Sequence, residues 1–189
     1  MKLPHLLLAS ALLATSTLAA LADSYVVDPV HSSAVFRIKH NKTSYLYARI
    51  TAPEGTIVYD AAKPEASSFD ITLKAANVDT ANAARDTHLK SPSFFNAKDF
   101  PNLSFKSTSV KKAAKGDAID VTGDLTIHGV TKPLTVTLDH TGDGNMQGKP
   151  TVGFEGTFTI NRSDFGMKEM LDAVGDDVRI IIAFEADKK

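Results

Sequence analysis

The sequence predicts an all-β protein, a closed antiparallel barrel of eight strands with a short helix and an aromatic loop near one mouth. Between residues 25 and 185, large apolar side chains recur at every second position in segment after segment. This two-residue period indicates strands with one buried face. With almost no helix to cover them, such strands must cover one another. A closed sheet of eight strands is just wide enough to be filled by side chains or to hold one small ligand.

The first five strands are predicted where the alternation is clearest. In the second of them Phe36, Ile38 and His40 share one parity, while Arg37 and Lys39 take the other. Turn signals built from Pro, Gly, Asn and Asp separate the segments. The predicted strands are 25–28, 34–40, 45–51, 56–59 and 69–75.

The alternation lapses between residues 82 and 100. Ala83, Ala84, Arg85 and Leu89 predict a short helix there, followed by a loop that carries three phenylalanines, Phe94, Phe95 and Phe100. Three phenyl rings in one loop need cover, so the loop is predicted to fold over a barrel mouth. Two roles stay open for these rings, a plug that belongs to the core and a lid that contacts a ligand, because cores and pockets use the same residue types.

The strands resume at residue 103. They are predicted at 103–109, 119–127 and 134–139, the last two forming a hairpin around residues 128–133, and two more follow within 152–160 and 178–184. The segment Asp143-Gly144-Asn145 resembles part of a calcium loop but has no glutamate at the closing position. It is predicted to be a glycine-rich hairpin turn.

Residues 1–22 are predicted to be a secretory signal peptide. Lys2 precedes a Leu/Ala-rich stretch at 6–18, and Ala20-Leu21-Ala22 is a small-x-small cleavage site. Polar residues interrupt the apolar run and no basic stop-transfer cluster follows, which argues against a membrane anchor. One barrel domain then occupies residues 23–189. The signal peptide and the absence of cysteine together indicate a bacterial periplasm or the cell exterior, and the periplasm is the predicted location.

Composition and spacing argue against several function classes. The net charge is −1 and no basic run is longer than a pair such as Lys111-Lys112, so nucleic acid is not an expected partner. The histidines lack tight ligand spacing and the chain has no cysteine, so no metal site is predicted. No Gly-x-Ser-x-Gly motif positions a nucleophilic serine. The sequence therefore predicts a non-catalytic protein without a covalent cofactor.

Several separate motifs give the chain a resemblance to the YceI-like family over essentially the whole segment after residue 22. Their order and spacing together make the match specific. The motifs are Tyr25-x-x-Asp28-x-x-His31-Ser32, Phe36-x-Ile38-x-His40, Val78-Asp79-Thr80, Arg85-Asp86-x-His88-Leu89, Phe94-Phe95, Phe100-Pro101-x-Leu103-x-Phe105, Gly123-Asp124-Leu125-Thr126-Ile127-His128-Gly129-Val130-Thr131-Lys132, Asn161-Arg162-x-Asp164-Phe165-Gly166 and Val174-Gly175-Asp176-Asp177-Val178.

The resemblance implies a secreted, lipocalin-like barrel whose interior holds a long amphiphile, such as a polyisoprenoid or an isoprenoid quinone, without covalent attachment. It is also compatible with a homodimer and with a membrane protein that donates or accepts the ligand. The chain departs from the family just after His40. Similar sequences place one glycine in the turn there and another near the middle of the next strand, and an aromatic residue follows that second glycine by two positions. Asn41-Lys42, Ala48 and Ile50 stand there, so the cavity wall is expected to differ locally.

The predicted ligand-binding residues are inward-facing apolar side chains together with polar groups at the mouth. They are Phe36, Ile38, His40, Leu73, Arg85, Asp86, His88, Leu89, Phe94, Phe95, Phe105, Phe154 and Phe165.

Alternatives stay open for five of these residues. Arg85, Asp86 and His88 meet a head group, or Asp86 pairs locally while Arg85 is solvated. An inward histidine is more often a hydrogen-bonded core residue than a ligand contact, and this is the favoured interpretation for His40. Segment 161–164 is interpreted as a turn held by its own Asn and Asp, after which Phe165 and Met167 can both reach the cavity, with Phe165 favoured.

The leading functional hypothesis is sequestration or transport of a long-chain amphiphile. The alternative is a structural or interaction barrel with a filled core and no lipid ligand, whose function lies on its outer surface. An open or a filled interior separates the two.

Overall fold

A computed structural model describes residues 22–114 and 116–189. The predicted signal peptide, residues 1–22, lies outside them except for Ala22. Eleven strand segments, one α-helix and three short 3-10 helices follow in chain order. They are β1 Asp23–Val27, β2 Ser33–His40, β3 Ser44–Thr51, β4 Glu54–Tyr59, η1 Pro64–Ala66, β5 Ser68–Lys74, η2 Ala75–Asn77, β6 Val78–Asp79, α1 Ala83–Lys90, β7 Asn102–Lys112, β8 Ile119–Ile127, β9 Val130–Met146, β10 Lys149–Asn161, η3 Arg162–Phe165 and β11 Val174–Lys188.

Eight of these segments form the closed antiparallel barrel that the sequence predicts. The hydrogen-bonded order is β1-β4-β5-β7-β8-β9-β10-β11, and β11 returns to β1. Tyr25 pairs with Lys188 and Val27 with Ala186 where the ring closes. Closure leaves neither β1 nor β11 as a free edge of the ring.

Three further segments extend the wall at one end of the barrel. β11 pairs with β2 along 174–183 before it pairs with β1 along 186–188. β3 pairs with β2, and the two-residue β6 pairs with β3. Consecutive segments on this side are thus halves of bent strands: β3 and β4 are separated by Ala52-Pro53 alone, with Ala52 in the left-handed region at φ 54°. We call this extended end, which includes His40 and α1, the mouth end, and the opposite one the far end.

The far end is packed solid with aromatic and β-branched side chains. The rings of Tyr59 and Phe154 meet edge to face with centroids 5.0 Å apart, and those of Phe69 and Phe154 do so at 5.4 Å. Phe69 and Phe154 are each 1% exposed. The quadrupoles of the rings favour such edge-to-face contacts, which also bury apolar surface. A second cluster, nearer the mouth, includes Leu103 and Phe165, and Phe105 packs against both clusters.

The predicted helix and aromatic loop are present. Asn82 caps α1, its side chain accepting a hydrogen bond from the Arg85 amide at 3.0 Å, and the helix ends before Ser91-Pro92. Within the described residues no helix is both long and apolar enough to cross a bilayer.

The β8–β9 hairpin turns earlier than predicted. Its turn is His128-Gly129, with φ of 52° and 73°, and β9 begins at Val130 instead of residue 134. Two consecutive positive φ values are typical of the two-residue hairpin turn whose twist matches that of the flanking strands. A Cβ on Gly129 would lie 2.4 Å from the Phe100 ring, so glycine is needed here for contact as well as for conformation.

The glycine-rich turn predicted at Asp143-Gly144-Asn145 is wrong. These residues belong to β9, where Gly144 pairs with Thr151 of β10. The turn lies at Gln147-Gly148, with φ of 52° and 89°. Glutamine seldom adopts a positive φ, so the sequence gives little indication of a turn at this position.

An ion pair closes the bend between β1 and β2, outside the barrel. Nδ1 of His31 donates to Oδ2 of Asp28 at 2.7 Å, while Oδ1 of Asp28 accepts from the Val30 amide at 2.7 Å. The hydrogen bond to Asp28 raises the pKa of His31, and the same bond lowers the pKa of Asp28. Glu185 adjoins the pair, and the ligand atoms of all three residues lie within 4.8 Å of one another.

These pKa directions predict a pH window for the pair. His31 stabilises the fold fully below its ordinary pKa near 6.5 and loses that contribution as the pH rises through its raised folded pKa. Asp28 contributes above its ordinary value near 3.8 and loses the contribution as the pH falls through its lowered folded pKa. An NMR titration should therefore place the His31 midpoint above 6.5, and Asp28→Asn should bring it back towards 6.5. An unchanged midpoint in Asp28→Asn would show that the pair does not form in solution.

Candidate ligand cavity

A cavity of about 320 Å³ occupies the centre of the barrel between the solid far end and the mouth. Its wall is built by β2, β3, β5 and β7 to β11, and α1 and the loop after it contribute at the mouth. This size falls at the lower end of the range for small-molecule sites in proteins. The barrel interior is therefore open towards the mouth and filled at the far end.

The wall is overwhelmingly apolar. Lining residues outside the predicted ligand-binding set include Ile50, Phe69, Leu103, Val121, Leu125, Leu134, Val136, Leu138, Phe158, Ile160, Met167, Met170, Val174, Val178, Ile180, Ile182 and Phe184. Most continue the same inward parity along strands whose neighbouring members were predicted, so the alternation itself was a sufficient signal for them.

Ten of the thirteen predicted site residues lie in the cavity wall. Their contact with a ligand stays a prediction, because the structure describes the wall alone. They are Phe36, Ile38, His40, Leu73, Arg85, His88, Leu89, Phe94, Phe95 and Phe105.

The loop phenylalanines divide between two roles. Phe94 and Phe95 line the cavity, and Phe94 is 6% exposed. Phe100 instead packs on the β8–β9 hairpin, with its ring centroid 4.9 Å from that of His128. One ring therefore fastens the loop to the barrel, and the other two form the inner surface of the cover.

Three predicted residues, Phe154, Asp86 and Phe165, are not in the cavity wall, and the structure gives each of them other contacts. Phe154 shares the inward parity of β10 but lies deeper, in the solid far end, against Tyr59 and Phe69. Asp86 accepts hydrogen bonds from the Thr80 amide at 2.9 Å and the Thr80 hydroxyl at 2.6 Å, which is the local pairing considered as its alternative. Phe165 is buried in the cluster beside Leu103.

The position of Phe165 follows from η3 and the glycine after it. Gly166 adopts φ 81°, and its amide donates to the carbonyls of Arg162 and Ser163. This left-handed residue reverses the chain, so Met167 reaches the cavity in place of Phe165. The segment is not held by Asn161 and Asp164 as predicted, since the Ser163 amide and hydroxyl donate to Asp176 at 2.8 and 2.7 Å.

Arg85 and His88 of α1 lie at the mouth. Nε and Nη2 of Arg85 donate to the Thr80 hydroxyl and carbonyl, each at 2.9 Å, which fixes the guanidinium beside the opening. The His88 ring meets Phe94 edge to face at 5.0 Å. His40 is an exposed residue of the rim, so its favoured role as a hydrogen-bonded core histidine is wrong. It lies at the last position of β2, where the inward direction already opens to solvent.

Arg162 is the functional candidate that the sequence analysis missed. It lines the cavity while only 3% exposed. Its three nitrogens donate to the carbonyls of Gly175, Met167 and Val174 at 2.9, 2.7 and 2.8 Å. Burial lowers its pKa, and the charges of Asp176 and Glu169 act in the opposite direction. The signal was available, since residue 162 continues the inward parity of Phe158 and Ile160.

The polar groups of the wall share one chemical character. Arg85, Arg162, His40, His88 and Ser104 are cations, donors or groups that can donate, and no carboxylate belongs to the described wall. Neither arginine forms an ion pair with any described residue. The direct hydrogen bonds of the buried Arg162 guanidinium go to neutral carbonyls, and such a charged group favours an additional acceptor. The cavity thus suits an apolar tail with an oxygen-rich end at the mouth.

Comparison with known proteins decides the family. The model of the YceI-like domain matches residues 25–186. The chain belongs to the YceI-like family. A relative from Ectopseudomonas mendocina, named UPF0312 protein, is 39% identical to this YceI-like chain over 186 residues. The match covers 97% of this chain and 95% of the relative.

Solved structures resemble the YceI-like barrel described above. The crystal structure of Burkholderia cenocepacia BcnA matches with a TM-score of 0.76 at 25% identity, over 84% of this chain and 98% of that one. The YceI protein of Campylobacter jejuni matches with a TM-score of 0.71 at 31% identity, over 80% and 90%. A polyisoprenoid-binding domain from Saccharophagus degradans shares the fold, with a TM-score of 0.69 at 12% identity, over 90% and 100%.

Proposed function

We propose that this protein is a periplasmic carrier that sequesters or transports a long-chain amphiphile, a polyisoprenoid or an isoprenoid quinone, inside its barrel. The observation that carries the proposal is the apolar cavity of about 320 Å³ at the barrel centre. A structural or interaction barrel would gain stability from a filled interior, because empty apolar space forfeits packing. The periplasmic location is supported by the signal-peptide pattern of residues 1–22.

The energetics favour a hydrocarbon chain as the occupant. Each buried CH₂ contributes about 0.8 kcal/mol, so one five-carbon isoprene unit contributes roughly 3 to 4 kcal/mol. A few units suffice for tight binding. The lost flexibility of the chain must offset much of the gain from longer tails, since non-covalent affinities saturate.

The polar end of the ligand is assigned to the mouth. Arg85 and Arg162 line the cavity without an ion-pair partner among the described residues, and the Phe94 ring lies against both Arg162 and His88. Phosphate, carboxylate and quinone oxygens all accept hydrogen bonds from such groups. An ammonium head would instead meet like charge at the same place.

Extraction of the protein purified from the periplasmic fraction, followed by mass spectrometry of the lipids, tests the proposal. The expected result is a long-chain species recovered in stoichiometric amount. Lipids with one tail and different heads should then bind in the order expected for the mouth, acids and quinones more tightly than the matching amine. Recovery of no long-chain species, together with no binding of added prenyl quinone, would rule the carrier function out.

A further inference from the structure

One positively charged part of the described chain is the hairpin formed by β2, the turn 41–43 and β3. It contains Arg37, Lys39, Lys42 and Arg49 and no aspartate or glutamate, although the whole chain has a net charge of −1. Only Arg49 is paired within the described residues, its Nη2 lying 2.9 Å from Oδ2 of Asp79. Three cations of the hairpin therefore have no ion-pair partner there.

Two tyrosines share the outer face of the hairpin with these cations. Tyr45 is 49% exposed and Tyr47 is 60% exposed. Lys39 lies opposite Tyr45 in the strand register, and Arg37 lies opposite Tyr47. The Arg37 guanidinium carbon lies 4.1 Å from the centroid of the Tyr45 ring, and the Lys39 ammonium lies 4.6 Å from it. The result is an exposed aromatic surface with cations held against it.

This face adjoins the opening of the cavity. His40 at the end of β2 lines the mouth, and the Asn41 amide donates to the Ala173 carbonyl at 2.6 Å, which joins the hairpin turn to the loop before β11. That loop exposes Met170 by 45% and Leu171 by 41%. Met170 also lines the cavity, so one side chain belongs to both the interior and the outer surface.

Exposed large apolar side chains are concentrated here. Of the seven in the described residues, four are Tyr45, Tyr47, Met170 and Leu171, and the other three are Val26, Val30 and Met146. Lys168 in the loop adds a further cation, and Glu169 and Asp172 add two anions. The positive charge of the surface therefore comes from the hairpin, and the loop contributes mainly apolar groups.

We propose that this mouth-side face, consisting of Arg37, Lys39, Lys42, Tyr45, Tyr47, Met170 and Leu171, docks on an anionic phospholipid bilayer. Tyrosine favours the boundary between head groups and acyl chains, and unpaired lysine and arginine are attracted by anionic lipid. Met170 and Leu171 supply apolar groups that enter the boundary. A ligand that is nearly insoluble in water then moves between bilayer and cavity without crossing the solvent; this purpose rests on the proposed function, whereas the docking itself does not.

Vesicle flotation with the intact protein tests the docking. We expect binding to vesicles of phosphatidylcholine mixed with phosphatidylglycerol, weaker binding as salt rises, and little binding to phosphatidylcholine alone. Lys39→Gln with Lys42→Gln should weaken binding by about fivefold for each charge removed. The matched control is Lys111→Gln with Lys112→Gln. These two exposed lysines are the last residues of β7 and are not part of the proposed face, so the variant should bind as the unchanged protein does.

Tyr45→Ser with Tyr47→Ser tests the aromatic part and should also lower binding. Absence of binding to anionic vesicles, equal binding to neutral ones, or the same loss in both lysine pairs would overturn the proposal. A dimer in solution that the tyrosine changes dissociate, with vesicle binding unaltered, would assign the face to a second copy and overturn it too.

A ligand-binding assay in solution separates this inference from the carrier function. Lys39 and Lys42 do not line the cavity, so their glutamine variants should bind a prenyl quinone as the unchanged protein does. Vesicle binding without any uptake of prenyl quinone would refute the carrier function and leave the docking intact. Uptake of quinone without vesicle binding would do the reverse.

Discussion

Replacing Ile180 with tryptophan should weaken the binding of a prenyl ligand on the order of 100-fold while the barrel stays folded. Ile180 lines the cavity between Phe36 of β2 and Phe158 of β10, its partners in the strand register. The indole would occupy space that one isoprene unit otherwise fills, and displacing that unit costs roughly 3 kcal/mol. Fluorescence titration with a prenyl quinone measures the loss.

The control for this prediction is the same change one residue further along. Ile181 faces outward from β11, opposite Thr157 and Val35, and does not line the cavity. Ile181→Trp should therefore bind the ligand normally. Urea unfolding of Ile180→Trp should show a small change in stability, because the new ring enters existing space instead of overpacking a filled core. Normal binding by Ile180→Trp would mean that the ligand does not occupy this cavity.

Phe154→Ala should lower the free energy of unfolding by about 3 to 5 kcal/mol, the range found for phenylalanine truncations in tightly packed cores. Phe154 is 1% exposed and contacts the rings of Tyr59 and Phe69 edge to face, so its removal leaves a void that the closed strands cannot fill. Urea denaturation measures the change. Ligand affinity of the folded protein should stay as it was, because Phe154 does not line the cavity.

Phe158→Ala supplies the comparison on the same strand. Phe158 has the same parity and lines the cavity, where it already faces open space. Its loss should cost less stability than the loss of Phe154 and should alter ligand binding instead. Equal costs for the two changes would contradict a barrel that is solid at the far end and open towards the mouth.

Parity explains both the success and the limits of prediction for the site. The alternation places Phe36, Phe105 and Phe154 inside the barrel, and the structure buries or partly buries all three. The alternation does not determine the position of a residue along the barrel axis. That position separates Phe154, in the solid far end, from Phe36 and Phe105, which line the cavity. It depends on register between strands that are distant in the sequence.

Polar residues were harder to place because local hydrogen bonds compete with functional roles. Asp86 is occupied by Thr80, whereas Arg85, its neighbour, keeps a place at the mouth. Arg162 was hidden by its surroundings, since Asn161, Ser163 and Asp164 give the segment the composition of a solvent-exposed turn. The partners that bury it, the carbonyls of Met167, Val174 and Gly175, come together only when η3 and β11 pack.

The sequence by itself determined that the chain closes into a barrel, because a two-residue apolar period over so many segments can be buried only by strands that cover one another. It also determined which side chains point inward and where a helix and aromatic loop interrupt the wall. Only the tertiary structure decided where the interior is filled. The far end is closed by pairing of β1 with β4 and β11, whereas α1 and the loop cover the mouth end, and the space left between them depends on long-range register.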